Sequence, residues 1–413
     1  MSLPYCFVLN HVSDNKAGNK QYNLSTLSVV RSLGRRKVPV ILVTPSKADA
    51  VISSKFIKKV EYSPDIHNSE EEMLNFLLQI PKRYTGKLVL FPTTDECSNF
   101  VGNYYDVLSD VFLIPSPNAS TISKINNKKY QYESAEALNI PIPETYFPKN
   151  PEDVAELALS ITNYPYVIKP NISFEWKKKS SNNEVKGKKG IKVSNPDELI
   201  TASNDVYVAG HEYMIQEVIG GRDERLVTFL GFMDSNSEAD SYFIRRKIRQ
   251  NPLDFGYCTM TESCHNPIVL DQSIKILQYM KYHGVAGVEW KLDPKTDTYK
   301  LIEINARPVN TTGCAIASGV DLPAIAYFNF IEKPLPSVRE WEDGQLWAWI
   351  AMDFWAAKEL ASENKITMWS WFRKICTIKA DAIFSFDDLS LSMSYYYMFF
   401  KNMLVNKINK FFK

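Results

Sequence analysis

Glu303 and Asn305 stand two apart in the run Lys300-Leu301-Ile302-Glu303-Ile304-Asn305-Ala306-Arg307-Pro308, whose apolar and polar residues alternate as on a strand. Residues two apart on a strand share a face, so a carboxylate, an amide oxygen and the Arg307 guanidinium would line up. Hard oxygen ligands beside a fixed positive charge suit magnesium and phosphate. Upstream, Gly284 to Leu292 reads as a second strand, and the turn-prone Asp293 to Thr298 folds it back as a hairpin. That hairpin brings Glu289 next to Glu303, so three oxygen ligands converge while water and phosphates complete an octahedron. A solvated hairpin with ordinary surface carboxylates is the plain alternative. The apolar flanking residues argue against it, because carboxylates embedded in a packing strand pair are costly unless partnered.

Basic residues gather upstream of this hairpin. Arg245, Lys247 and Arg249 alternate along one stretch and would share one side of a strand, with Lys247 or Arg245 set against a phosphate. Lys169 ends the strand Tyr166 to Lys169 and precedes Pro170, which stiffens its backbone. Between Lys177 and Lys192 lie seven lysines and one glutamate, broken by Gly187 and Gly190. Glycine lets backbone approach phosphate closely, so the stretch reads as a mobile lid over the site, against a solvated basic insertion or a polyanion patch.

The segment from Gln216 to Pro308 resembles the nucleotide-binding half of the ATP-grasp superfamily, in particular the carbamoyl-phosphate-synthase-like carboxylate-amine ligases. The resemblance is carried by Met214 to Gly221 as the hinge strand, Arg245 to Gln250 as the basic strand, and Gly287 to Lys291 with Ile302 to Pro308 as the metal strands. D-aspartate ligases and unassigned ATP-grasp proteins are similar in this region, and the resemblance does not choose among them. It implies an α/β and α+β chain with the ATP-grasp fold. Residues 1–120 would form a Rossmann-like preATP-grasp domain, 121–210 a linker helix and small lid, 211–335 the nucleotide and metal subdomain, and 336–413 a helical extension.

The same resemblance implies Mg2+, with Mn2+ as a substitute, on Glu289, Glu303 and Asn305. ATP would lie on Lys128, Lys169, Gln216, Glu217, Ile219, Glu224 and Ile302, with Asp223 the rival of Glu224 at the ribose. Lys128 stands in Asn127-Lys128-Lys129, where the family usually has Asp-Lys. Arg307, Lys247 and Arg245 would act on the reacting groups. The reaction implied is activation of a carboxylate as an acyl phosphate followed by attack of an amine. A carboxylate is a poor electrophile until its oxygen leaves as phosphate, and basic side chains with metal ions neutralise the charge in transit. The rival of a different class is a nucleotide-binding sensor or scaffold without chemistry; a membrane-associated, envelope-modifying enzyme is the other.

At 413 residues the chain is long enough for two or three domains. Its net charge of +1 removes a global argument for nucleic acid as a partner. Strand-like and helix-like stretches alternate from Tyr5 to Phe91, the pattern of a parallel sheet covered by helices. Pro92 to Glu96 follows its last strand, where open α/β sheets bind ligands; Thr94 and Asp95 read first as a helix N-cap. Asn310 to Cys314 lines an acceptor pocket or caps the next helix.

Six scattered cysteines without metal-like spacing are expected to be reduced and mostly buried. Met1 to Asn10 reads as a first strand rather than a secretory signal, and no stretch has the length and apolarity of a membrane span, so the expected location is cytoplasmic. Beyond Asp388 the chain has aromatic residues and lysines but no acid. Such a helix docks on its own protein, joins a homodimer, or lies as a peripheral contact on the inner membrane face.

Overall fold

A computed structural model describes residues 3–12, 21–172, 175–177, 185, 188–253 and 256–411. Four short apolar runs build the first sheet: β1 (Tyr5–Leu9), β2 (Val40–Thr44), β3 (Ile57–Tyr62) and β4 (Leu88–Pro92). The sheet is parallel, in the order β3-β2-β1-β4. Strands β2 and β4 are buried at every residue, as helices on both faces of a parallel sheet require. Because the order reverses beside β1, the carboxyl ends of β1 and β4 flank a crevice of the kind where open α/β sheets hold ligands.

A second, four-stranded sheet comprises β5 (Thr145–Tyr146), β6 (Tyr166–Pro170), β7 (Ile191–Val193) and β8 (Tyr213–Glu217), in the order β5-β8-β6-β7. Helices Pro151–Ser160 and Pro196–Val208 pack on it through Val154, Ala158, Leu199 and Val206. Each begins with Asn-Pro, the asparagine side chain accepting a backbone N–H and the proline occupying a position that needs no donor.

The largest sheet has β9 (Leu226–Met233), β10 (Ala239–Asn251), β11 (Tyr257–Ser263), β12 (Gly284–Asp293), β13 (Thr298–Asn305), β14 (Leu346–Ala348) and β15 (Ala380–Asp381). Its order is β13-β12-β9-β10-β11-β14-β15. The expected hairpin is β12 and β13, and the helix Pro267–Tyr279 packs behind it, where Trp290 donates to Ser273 at 2.8 Å. The carboxyl-terminal residues are more than helical, because β14 and β15 extend this sheet beyond β11.

The last helix, Leu389–Phe411, turns aromatic residues inward: Trp349 donates to the Tyr395 hydroxyl at 2.6 Å and Tyr396 donates to Asp381 at 2.6 Å. Docking on its own protein, one of the three roles open to this tail, accounts for these residues. Among the described residues no helix is long and apolar enough to cross a membrane. All six cysteines are free, four of them buried, with Cys376 exposed.

Candidate active site

Register places the carboxylates. On the β12–β13 hairpin Glu289 lies directly opposite Glu303, and Asn305 opposite Gly287. The pairing then jumps from Glu289–Glu303 to Trp290–Leu301, which leaves Ile302 as one extra residue on β13. A bulge of this kind resets the alternation. It lets Leu301 and Ile304 both enter the core with Val288 and Trp290, while Glu303 and Asn305 remain on the other, partly exposed face. Gly287 is needed for close approach, since a Cβ there would stand 2.7 Å from Val309.

Cations meet these carboxylates from two other strands and a helix. Lys128 opens the helix Lys128–Ala137, is buried, and sets its Nζ 3.2 Å from Glu303. Lys129 is exposed instead, so Lys128 is the member of the pair that reaches the hairpin. Arg245 is 2% exposed, approaches Glu289 to 4.0 Å and donates to the Cys258 sulfur at 3.4 Å; its Nε has no hydrogen-bond partner among the described residues. Lys169 donates to the Gln216 side chain at 3.0 Å. Desolvation, reinforced by the nearby charge of Lys128, lowers the Lys169 pKa to about 8.

Gln216 is fixed by what surrounds it, donating to the Tyr132 hydroxyl at 2.8 Å and to Thr145 at 2.9 Å. Tyr132 in turn donates to the Ile302 carbonyl at 2.6 Å, and Gln131 clamps both backbone groups of Ile304. The backbone N–H groups of Glu217 and Val218 bond to Glu144 and Pro165, and the Glu217 carboxylate accepts from Lys300 at 3.1 Å. Ile219 is buried beside them. Glu224 is exposed, whereas Asp223 accepts from Gln250 at 2.9 Å, and burial raises its pKa against the pull of Lys247 and Lys291. Lys247 donates to the same Gln250 at 3.2 Å.

Arg249, expected to share one side of its strand with Arg245 and Lys247, is committed to an ion pair. The β10–β11 ladder shifts register on both sides of Arg249, and bulges re-aim side chains. Arg249 forms two 2.9 Å hydrogen bonds with fully buried Asp353, which also accepts from Thr259 and Trp371. Its charge is thereby used against the carboxyl-terminal helices.

Arg307 reaches across to the helix that follows β4. It donates to both Asp95 oxygens, at 2.5 and 2.8 Å, and to Asn305 at 3.3 Å. Burial disfavours its charge, but the Asp95 carboxylate more than compensates and raises its pKa. Thr94 caps the helix Asp95–Asn103, accepting from Cys97, so the first reading of Thr94 stands while Asp95 has the further partner. Asn310 accepts from Ser25, and Thr312 accepts from Val309 as the next helix starts. Most of the lysine-rich stretch, 178–184 and 186–187, lies outside the described residues.

Tyr132, Gln131 and Lys300 were not singled out from the sequence. Tyr132 lies four residues after Lys128, on the same helix face, a signal that was available. Two carboxylates and an amide oxygen form an all-oxygen donor set, which fits Mg2+; the lysines and Arg245 around it fit a polyphosphate.

The arrangement of sheets is the ATP-grasp fold of the solved structures it resembles. Residues 258–327 match the family model described as carbamoyl-phosphate synthase L chain, ATP binding domain. The chain is similar to D-aspartate ligase from Enterococcus faecium, 22% identical over 278 residues covering 64% of this chain, and it spans 65% of that ligase's length. Among solved structures it resembles the L-amino acid ligase of Bacillus licheniformis, with TM-score 0.59 and 14% identity over 81% of this chain and 76% of that one. It also resembles the biotin carboxylase domain of Hydrogenobacter thermophilus 2-oxoglutarate carboxylase, solved as a dimer with MgADP and bicarbonate. There the TM-score is 0.61 with 14% identity, covering 84% and 74% of the two chains.

Proposed function

We propose that the chain is an ATP-dependent carboxylate-amine ligase: it activates a carboxylate as an acyl phosphate, joins it to an amine, and releases ADP and phosphate. The reading is carried by Glu289 opposite Glu303 with Lys128 and Arg245 at their sides, next to an Arg307 anchored by Asp95. In it Glu289, Glu303 and Asn305 hold Mg2+, which supplies Lewis-acid neutralisation of phosphate charge when bound. Lys128 and Lys169 meet the inner phosphates, Gln216, Glu217, Ile219 and Ile302 border the adenine, and Glu224 or Asp223 meets the ribose. Arg245 and Lys247 steady the transferring phosphoryl group. Arg307, with its planar fork, steadies the acyl phosphate and the oxyanion formed as the amine attacks.

The test is ADP and phosphate release from MgATP with amino acids and small carboxylates, in wild type and Glu303→Ala. D-aspartate heads the pool because the Enterococcus relative is named for it. Release that requires both a carboxylate and an amine, and that disappears in Glu303→Ala, supports the ligase. Nucleotide binding without turnover on any pair would move the weight to a sensor.

A further inference from the structure

His11, His67 and Glu96 are far apart in sequence, yet one ligand atom from each lies within 4.8 Å of the others. The topology explains the convergence. His11 follows β1, His67 sits in the loop after β3, and Glu96 is in the first turn of the helix after β4, so all three rise from carboxyl ends of strands in the first sheet. The two imidazole rings are 4.4 Å apart between centroids. Glu96 is buried, and a cavity of about 240 Å³ opens beside His67, Ser69, Glu96 and Asn99.

Asp65 organises this group. One of its oxygens lies 3.0 Å from His11 Nε2 and also accepts the backbone N–H of His67 at 2.9 Å. If His11 Nε2 donates that bond, its Nδ1 lone pair is left for a ligand, the arrangement by which a carboxylate orients a metal-bound histidine. Two imidazoles and a carboxylate are a borderline donor set that suits zinc or cobalt and not magnesium.

From this the geometry points to a second metal site, separate from the Glu289–Glu303 pair, in which His11, His67 and Glu96 bind one divalent transition-metal ion with a further coordination position open to the cavity. Donors around a tetrahedral zinc stand roughly 3.4 Å apart given bonds of about 2.0–2.1 Å. The group must therefore close by up to about 1.4 Å when the ion binds. Glu96 directly follows Asp95, which holds Arg307, so a ligand on the open position would lie on the side of the first domain that meets the metal strands. The site does not depend on the ligase reading, because its test needs no turnover.

The experiment uses the full chain stripped of metal and then saturated with Mg2+ to fill the all-oxygen site. Co2+ is titrated while its visible absorption is followed, and Zn2+ by calorimetry. One ion per chain is expected to bind despite the Mg2+. His67→Ala and Glu96→Gln should each weaken it at least about tenfold, and Glu303→Ala should leave it unchanged. X-ray absorption of the wild-type zinc protein provides a measurement that does not rely on a variant folding, and should show two imidazoles with oxygen ligands. Absence of binding under Mg2+, wild-type affinity in both variants, or a sulfur-ligated zinc would each overturn the site and leave the cluster a hydrogen-bonded polar network.

Discussion

Asp95 and Arg307, 212 residues apart, are joined by two parallel hydrogen bonds that tie the helix after β4 to the residues just past β13. The pair keeps a guanidinium charged and aimed where burial alone would disfavour it. Arg307→Lys retains the charge but loses the planar fork. In the proposed ligase it should lower kcat on the order of 10²-fold with nucleotide affinity nearly unchanged, as steady-state kinetics and ADP binding would reveal. A loss confined to nucleotide affinity would remove Arg307 from the chemistry.

Glu289 and Glu303 face each other across one register position. Glu289→Gln and Glu303→Gln should each raise the Mg2+ concentration needed for half-maximal turnover by at least about tenfold, since a lost charged ligand weakens a hard-cation site. A Mg2+ titration of ATP turnover reads this directly, and unchanged midpoints in both variants would place the cation elsewhere.

Lys169 has a pKa lowered to about 8. Between there and the ordinary lysine value the folded chain holds fewer protons than the unfolded one, so Lys169 makes stability rise with pH across that interval. Nucleotide binding runs the other way, because a polyphosphate favours the charged amine. ADP affinity should fall roughly eightfold between pH 7.5 and 9 if the bound form stays protonated. Lys169→Arg, always charged, should flatten that profile; an identical slope in the variant would assign the titration to another group.

Arg249 and Asp353 form a buried ion pair. Asp353→Ala leaves the arginine buried without its counter-charge and should cost about 3–5 kcal/mol, measured by denaturant unfolding. Arg245→Ala, by contrast, is expected to impair turnover far more than stability. Unfolding of Asp353→Ala at the wild-type denaturant concentration would remove the assigned role of Arg249, and wild-type turnover in Arg245→Ala would remove that of Arg245.

The hairpin with its metal-strand carboxylates was legible because a period of two and a short turn are local properties of Gly284 to Pro308. The partner of Arg307 was not, because Asp95 opens a helix that follows another sheet's strand, and sequence spacing carries no information about that approach. The commitment of Arg249 was not legible either, because Asp353 lies 104 residues further on, on a separate helix. The cluster of His11, His67 and Glu96 had no signature at all, since strand ends gather residues from unrelated loops.

The pairing of Arg249 with Asp353 also sets an order of events in biosynthesis. The arginine emerges from the ribosome 104 residues before its partner, a delay of about 5 to 20 s at ordinary elongation rates. During that time the nascent β10 carries an uncompensated charge at the position where β11 must seat, and β14 does not yet exist to cover the edge of β11. This part of the largest sheet therefore reaches its final form only once β14 and Asp353 have been made, and a ribosome-stalled chain ending near residue 335 should be a client for chaperones.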